Sequence, residues 1–111
     1  MSSVKIGVLI SGDGTNLQSI IDNINEGKIK GEIKLVLSNR KDAYGLVRAD
    51  KAGIETLYIN KKEFNSEEEY NKKIIEELTK RDIELVVLAG YLRVLSNEFI
   101  EKYKNRIINI H

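Results

Sequence analysis

The feature that most constrains the fold is a regular alternation of short apolar runs with amphipathic segments along the chain. Val4 to Ile10 is a nearly unbroken apolar run, which is typical of a strand buried on both faces of a parallel sheet. After a loop that contains two glycines, apolar residues recur with the spacing of one buried helix face. These residues are Leu17, Ile20, Ile21 and Ile24, and Gly27 is placed to end the helix.

The same alternation continues to the end of the sequence. It predicts further strands at 33–38, 56–59, 84–90 and 106–111, with helices from Asp42 to near Gly53, after Ser66 and over 97–103. Ser66 to Glu69 has the form of a capping box, and Tyr70, Ile74 and Leu78 form the buried stripe of the helix that follows. About five strands and four helices in this order predict an α/β fold, a doubly wound parallel sheet with right-handed crossovers.

Composition excludes several classes of protein. The chain has 111 residues, with 18 Lys and Arg against 17 Asp and Glu, so we expect one domain over residues 1–111 and no net field for nucleic acid or an anionic membrane. With no Cys and one His, it offers neither a disulfide framework nor a protein-ligated metal site. Its apolar runs are too short to span a bilayer, and no signal-peptide core follows Met1, so we expect a cytoplasmic protein.

The loop after the first strand is a candidate phosphate site. Gly12 to Leu17 begins like a dinucleotide fingerprint, but Leu17 stands where a third glycine is wanted. Arg40, after the second strand, keeps an NADP-dependent oxidoreductase open as an alternative. The loop places backbone amides and the side chains of Thr15 and Asn16 at a helix N-terminus, which suits one phosphate. The structural alternative is a tight turn with Thr15 or Asn16 as an ordinary N-cap.

Asn109 and His111 form a second candidate site. They are two residues apart in a predicted strand, so their side chains project to one face, while Ile108 and Ile110 face the other way. Asn can donate to a developing oxyanion and His can transfer a proton near neutral pH, a combination that suits acyl transfer. Since the sequence offers no Cys and no serine elbow, direct transfer is favoured over a covalent intermediate. From spacing alone, an incidental His at a chain end remains the stronger interpretation.

Four stretches together resemble the phosphoribosylglycinamide formyltransferases. These stretches are 10–18 (Ile-Ser-Gly-Asp-Gly-Thr-Asn-Leu-Gln), 38–46, 86–96 and 106–111 (Arg-Ile-Ile-Asn-Ile-His). The resemblance runs through nearly the whole chain but covers about the first half of such an enzyme. It implies a Rossmann-like N-terminal nucleotide-binding domain, cut short before the rest of the catalytic domain. It also implies a cytoplasmic enzyme of purine biosynthesis that acts on small molecules.

The resemblance implies roles for particular residues. Gly14, Thr15 and Asn16 are expected to hold the phosphate of glycinamide ribonucleotide. Leu92, Arg93, Val94 and Leu95, together with Asn109, are expected to contact the cosubstrate 10-formyltetrahydrofolate. Asn109 and His111 are expected to be catalytic, as amide donor to the formyl oxygen and as proton donor to the tetrahedral intermediate. Without the resemblance, Leu92 to Leu95 would be interpreted as three apolar core residues beside a surface Arg.

Two departures from the family pattern limit what is carried over. Glu67 stands where members often have a basic residue, so no ligand role is assigned to it. The Pro-rich turn and the Asp that follow His111 in the family are not in this sequence, so we expect the chain alone to be inactive. The alternatives are a hydrolase similar to formyltetrahydrofolate deformylase, which gives the formyl group to water, and a nucleotide-binding module without catalysis.

Overall fold

The predicted strands and helices form one parallel sheet with helices on both faces in the computed structural model, which describes residues 3–110. The doubly wound fold predicted from the sequence is confirmed. The strands are β1 (Val4–Ile10), β2 (Gly31–Ser38), β3 (Thr56–Tyr58), β4 (Leu85–Ala89) and β5 (Ile107–Ile110). The α-helices are α1 (Thr15–Asn25), α2 (Tyr44–Lys51), α3 (Glu67–Lys80) and α4 (Asn97–Lys102), and a short 3-10 helix spans Lys61–Glu63.

The strand order places a crevice at the centre of the sheet. The order is β3-β2-β1-β4-β5, and all pairs are parallel. The chain therefore starts at the central strand, builds outward to β3 and then returns to the other side of β1. Connections on the two sides of this reversal leave in opposite directions, which opens a ligand crevice beyond the carboxyl ends of β1 and β4.

Two apolar cores flank the sheet. One lies between the sheet and the helices α1 and α2, and the other between the sheet and the helices α3 and α4. The predicted stripe of α3 is confirmed, because Tyr70, Ile74 and Leu78 are fully buried. None of the helices within residues 3–110 is long and apolar enough to cross a membrane.

The start of α3 follows the predicted cap, with one shift. The Ser66 Oγ accepts a hydrogen bond from the Glu69 amide at 3.1 Å, as in a capping box. The Glu69 carboxylate accepts from the amide of Asn65 at 3.1 Å, one residue before the cap itself. This exchange fixes the first turn of α3 and so the position of Glu67.

Two predicted boundaries are wrong, for identifiable reasons. The strand β2 begins at Gly31 rather than at residue 33, because Gly31 and Glu32 pair with Val4 and Lys5 of β1. Neither Gly31 nor Glu32 belongs to the apolar run from which the strand was predicted. The helix α2 begins at Tyr44 with Ala43 as its N-cap, not at Asp42. The Asp42 carboxylate pairs instead with the Arg40 guanidinium at 3.3 Å and caps no amide.

Glu77 on α3 provides a pH-dependent contribution to stability. It is 8% exposed, and its carboxylate contacts Lys73 at 2.9 Å and Arg81 at 3.0 Å. Hydrogen bonds from Lys73 and then Arg81 lower the pKa of Glu77 to about 2. Because the folded-state pKa lies below the unfolded value of 4.5, this stabilisation is present above pH 4.5 and is lost as the pH falls towards 2.

We expect Glu77→Gln to lower the free energy of unfolding at pH 7 by about 2 kcal/mol. Between about pH 4.5 and 2 the free energy of unfolding should decrease less in the variant than in the wild type. Urea unfolding at several pH values measures both effects. Glu76→Gln is the matched control, because Glu76 is an exposed neighbour whose contacts with Lys73 and Lys80 are longer, at 3.5 and 3.6 Å. Equal pH profiles for the two variants would contradict this account.

Candidate active site

A cleft lies at the central crevice, between the loop after β1 and the end of β4. Its volume is about 140 Å³. The cleft is where the strand order predicts a ligand, and it contains all three residues of the predicted phosphate site. It is lined by Gly12, Asp13, Gly14, Thr15, Asn16, Ala89 and Gly90.

Gly14, rather than Thr15 or Asn16, is the N-cap of α1. Gly14 adopts φ 79°, a left-handed conformation that favours glycine, and no side chain caps this helix. The alternative in which Thr15 or Asn16 serves as an ordinary N-cap is therefore wrong. The hydroxyl of Thr15 and the amide of Asn16 have no capping role at the mouth of the cleft.

The loop presents unsatisfied backbone donors. Within the part of the chain that the structure describes, the Asp13 and Gly14 amides donate to no protein acceptor, while the Thr15 amide contacts the Asp13 carboxylate at 3.3 Å. These amides lie at the positive end of the α1 dipole. Unpaired N–H groups at a helix N-terminus favour an anion of the size of phosphate.

The Ser11 hydroxyl forms hydrogen bonds with two other loops beside the cleft. Its side chain is 2% exposed, and its hydroxyl donates to Asn39 Oδ1 at 2.6 Å. The same oxygen accepts from the Leu92 amide at 2.8 Å. One buried hydroxyl thus links the loop after β1 to the loop after β2 and to the segment after β4. No sequence pattern predicted this role for Ser11.

The segment after β4 exposes apolar side chains instead of burying them. Leu92 is 78% exposed and Val94 is 75% exposed, whereas Leu95 packs partly against the second core. The alternative in which three apolar residues pack a core is therefore wrong for Leu92 and Val94. Exposed apolar side chains at two positions of one segment can cover the flat apolar ring system of a ligand.

Arg93 is paired rather than free at the surface. Its guanidinium forms an ion pair with the Glu67 carboxylate, and it lies 6.0 Å from the centre of the Tyr70 ring. Glu67, for which the sequence suggested no ligand role, thus contacts a residue of the predicted folate segment. The pair joins the start of α3 to the segment after β4.

Three buried polar atoms in this region have no hydrogen-bond partner among the described residues. They are Glu67 Oε2, Arg93 Nε and the Tyr91 hydroxyl. Burial raises the pKa of Tyr91, so this hydroxyl remains a neutral donor. Two of these atoms belong to the Arg93–Glu67 ion pair, and the Tyr91 hydroxyl lies beside the hydroxyl of Tyr70.

Asn109 lies on β5, opposite Leu88 of the neighbouring strand, with an exposed side chain. Alternation along β5 places Asn109 on the same side as Ile107, which packs against the second core. Its position at the carboxyl end of β5 is at the edge of the sheet that carries the cleft. His111, the predicted proton donor, lies outside the described residues, so its role stays a prediction.

Two other ligands, NADP and a metal ion, are considered against the described residues. The Arg40 guanidinium, which an NADP site would use, pairs with the Asp42 carboxylate at 3.3 Å. Over residues 3–110, no group of three or more His, Cys, Asp or Glu side chains is arranged to hold a metal ion. The polar groups of this edge of the sheet are backbone amides, an amide side chain and an Arg–Glu pair, which suit an anion and a polar organic substrate.

Comparison with known proteins identifies the family. The sequence profile described as formyl transferase matches residues 4–111. Phosphoribosylglycinamide formyltransferase of Escherichia coli (strain K12) is 46% identical over 97% of this chain and 51% of its own length. The trifunctional purine biosynthetic protein adenosine-3 of Homo sapiens is 39% identical over 96% of this chain and 11% of its own length.

Solved structures agree with the sequence comparison. Glycinamide ribonucleotide transformylase 1 from Symbiobacterium toebii superposes with a TM-score of 0.95 at 43% identity, over 98% of this chain and 51% of that one. The phosphoribosylglycinamide formyltransferase from Coxiella burnetii, in complex with CHES, gives 0.94 at 45% identity, over 99% and 52%. The chain thus spans about half the length of the E. coli enzyme and of these two structures. Because the formyl transferase profile matches residues 4–111, nearly the whole of this chain, the chain belongs to the formyl transferase family.

Proposed function

We propose that the protein containing this chain transfers a formyl group from 10-formyltetrahydrofolate to the amine of glycinamide ribonucleotide. The observation that carries the proposal is the pair of unpaired amides, Asp13 and Gly14, in the cleft at the centre of the sheet. The E. coli relative is a phosphoribosylglycinamide formyltransferase, and phosphoribosylglycinamide carries one phosphate. The activity is proposed for the whole protein that contains this chain, since the chain spans about half the length of the E. coli enzyme.

In this proposal the cleft holds the phosphate. The amide of Gly14 and the side chains of Thr15 and Asn16 donate to phosphate oxygens, and the α1 dipole adds to the attraction. A site of this kind favours the transferase over a deformylase-like hydrolase, because a hydrolase that uses water needs no ribonucleotide phosphate. The phosphate also fixes the distance at which the amine of the substrate meets the formyl group.

The segment after β4 holds the folate. Leu92 and Val94 offer exposed apolar surface to the ring system, and Leu95 continues that surface into the second core. Arg93 and the backbone groups of the segment contact the polar edge of the same substrate. The exposed apolar side chains of this segment support this assignment.

Asn109 and His111 carry the chemistry. The amine of the ribonucleotide attacks the formyl carbon, and the amide N–H of Asn109 donates to the oxygen that becomes negatively charged. His111, protonated, stabilises this tetrahedral intermediate and supplies the proton that the folate nitrogen takes as its bond to the formyl carbon breaks. The attacking amine loses one proton as the amide forms, and this proton restores the protonated state of His111. The new carbon–nitrogen bond replaces the broken one, so no covalent enzyme intermediate is needed.

Calorimetry with glycinamide ribonucleotide and the protein that contains this chain tests the phosphate site directly. We expect Thr15→Ala with Asn16→Ala to weaken binding at least tenfold, because each side chain donates a hydrogen bond to a charged group. The matched control is Ser19→Ala with Asn25→Ala, which removes a hydroxyl and an amide from exposed positions of the same helix. The proposal fails if the wild type does not bind, or if both double variants bind equally well.

A further inference from the structure

The loop that lines the cleft touches α2 backbone to backbone. A Cβ atom on Gly14 would lie 2.6 Å from the Gly45 Cα, and a Cβ atom on Gly45 would lie 3.3 Å from the Gly14 Cα. Glycine at both positions permits this approach. The Gly45 amide donates to the carbonyl oxygen of Gly12 at 3.1 Å.

A second contact with the loop comes from one turn further along α2. The Arg48 Nε–H donates to the carbonyl oxygen of Asp13 at 2.7 Å. The guanidinium is oriented by the Tyr44 ring, whose centre lies 5.1 Å away, and it reaches Gln18 Oε1 at 3.5 Å. Arg48 forms no ion pair with a carboxylate among residues 3–110, so its charge is not neutralised locally.

These two contacts determine the direction of the neighbouring amides. In a planar trans peptide the carbonyl of one residue and the N–H of the next point in opposite directions. When the Gly12 carbonyl faces Gly45, the amide of Asp13 points away from α2. When the Asp13 carbonyl faces Arg48, the amide of Gly14 does the same. Both amides lack a protein acceptor within the described part of the chain and line the cleft.

We propose that Gly45 and Arg48 are positioning residues that aim the Asp13 and Gly14 amides into the cleft and so set the affinity of this loop for a phosphate group. The inference rests on the proposed function, in which the cleft takes the phosphate of the substrate. Neither residue needs to touch the phosphate itself. Their effect is on the backbone donors of the loop, which without them could turn to face solvent.

Arg48→Met tests the inference, with Lys51→Met as the matched control. Both changes remove one positive charge from α2 and one cation from the Tyr44 ring, since the Lys51 Nζ lies 6.0 Å from the ring centre. Of the two side chains, Arg48 is the one that bonds the loop. We expect Arg48→Met to weaken binding of glycinamide ribonucleotide to the whole protein about tenfold. Lys51→Met should change this affinity less than about twofold.

Steady-state kinetics of the whole protein separates positioning from a general loss of structure. Arg48→Met should raise the KM for the ribonucleotide and the inhibition constant of inorganic phosphate together, with the kcat at saturation close to that of the wild type. A kcat that falls with KM unchanged, or equal effects of the two Met variants, would overturn the inference. Arg48→Gln and Lys51→Gln give a second pair if the Met variants unfold. Absence of binding by the wild type would instead overturn the proposed function.

Discussion

Replacing Asn109 by aspartate is expected to lower the turnover number for formyl transfer by about 100-fold to 1000-fold. The substitution keeps the size and shape of the side chain but removes its N–H donors and places a negative charge beside the developing oxyanion. Because the side chain of Asn109 is exposed on β5, the free energy of unfolding should change by less than about 0.5 kcal/mol. Steady-state kinetics of the protein that contains this chain measures the effect.

Asn25→Asp is the matched control for this prediction. It introduces the same charge at an exposed position at the end of α1, at the opposite edge of the sheet. We expect the turnover number of this variant to be within about twofold of the wild type. If Asn109→Asp behaves like Asn25→Asp, the amide of Asn109 is not the donor to the formyl oxygen.

The second large effect is expected for Gly14→Ala, which should lower the free energy of unfolding by about 3 kcal/mol and abolish phosphate binding. One part of the loss is the left-handed backbone at φ 79°, which an alanine adopts only with strain. The other part is the contact of the new Cβ with the Gly45 Cα at 2.6 Å, which only a backbone movement can relieve. Urea unfolding and calorimetry measure the two outcomes.

Two other glycines separate these contributions. Gly53 has φ 75° with nothing within 4 Å of an added Cβ, so Gly53→Ala reports backbone strain alone, at about 1 kcal/mol. Gly12, in the same loop as Gly14, also has open space and no positive φ, so Gly12→Ala should be nearly neutral. Equal losses for Gly14→Ala and Gly53→Ala would show that the close approach to Gly45 is unimportant.

Sequence patterns predict the elements whose signals are local. The bounds of β1 are reproduced because six of its seven residues are apolar or small and all seven pair within the sheet. The stripe of α3 follows the same logic. By contrast, the first residues of β2 pair with β1 although their own pattern is polar, and Asp42 is taken up by Arg40. Both boundaries depend on partners that the local sequence does not reveal.

In the candidate site, too, the sequence predicts some features and not others. Alternating strands and helices, together with the glycine loop, predict where the cleft lies, because the topology fixes the central crevice. The contact of Arg48 with the loop joins residues 35 apart in the sequence, so no local pattern predicts it. The contact of Gly45 with the same loop was not predicted for the same reason. The pairing of Glu67 with Arg93 was equally hidden.

The central claim is transfer of a formyl group to a phosphate-bearing amine, and product analysis with 10-formyltetrahydrofolate tests it most directly. The protein that contains this chain is supplied with glycinamide ribonucleotide, with the phosphate-free glycinamide riboside, or with neither. We expect an amount of formylated ribonucleotide equal to the folate consumed, a much slower reaction with the riboside and little formate without an acceptor. Release of formate at the same rate in all three reactions would contradict it.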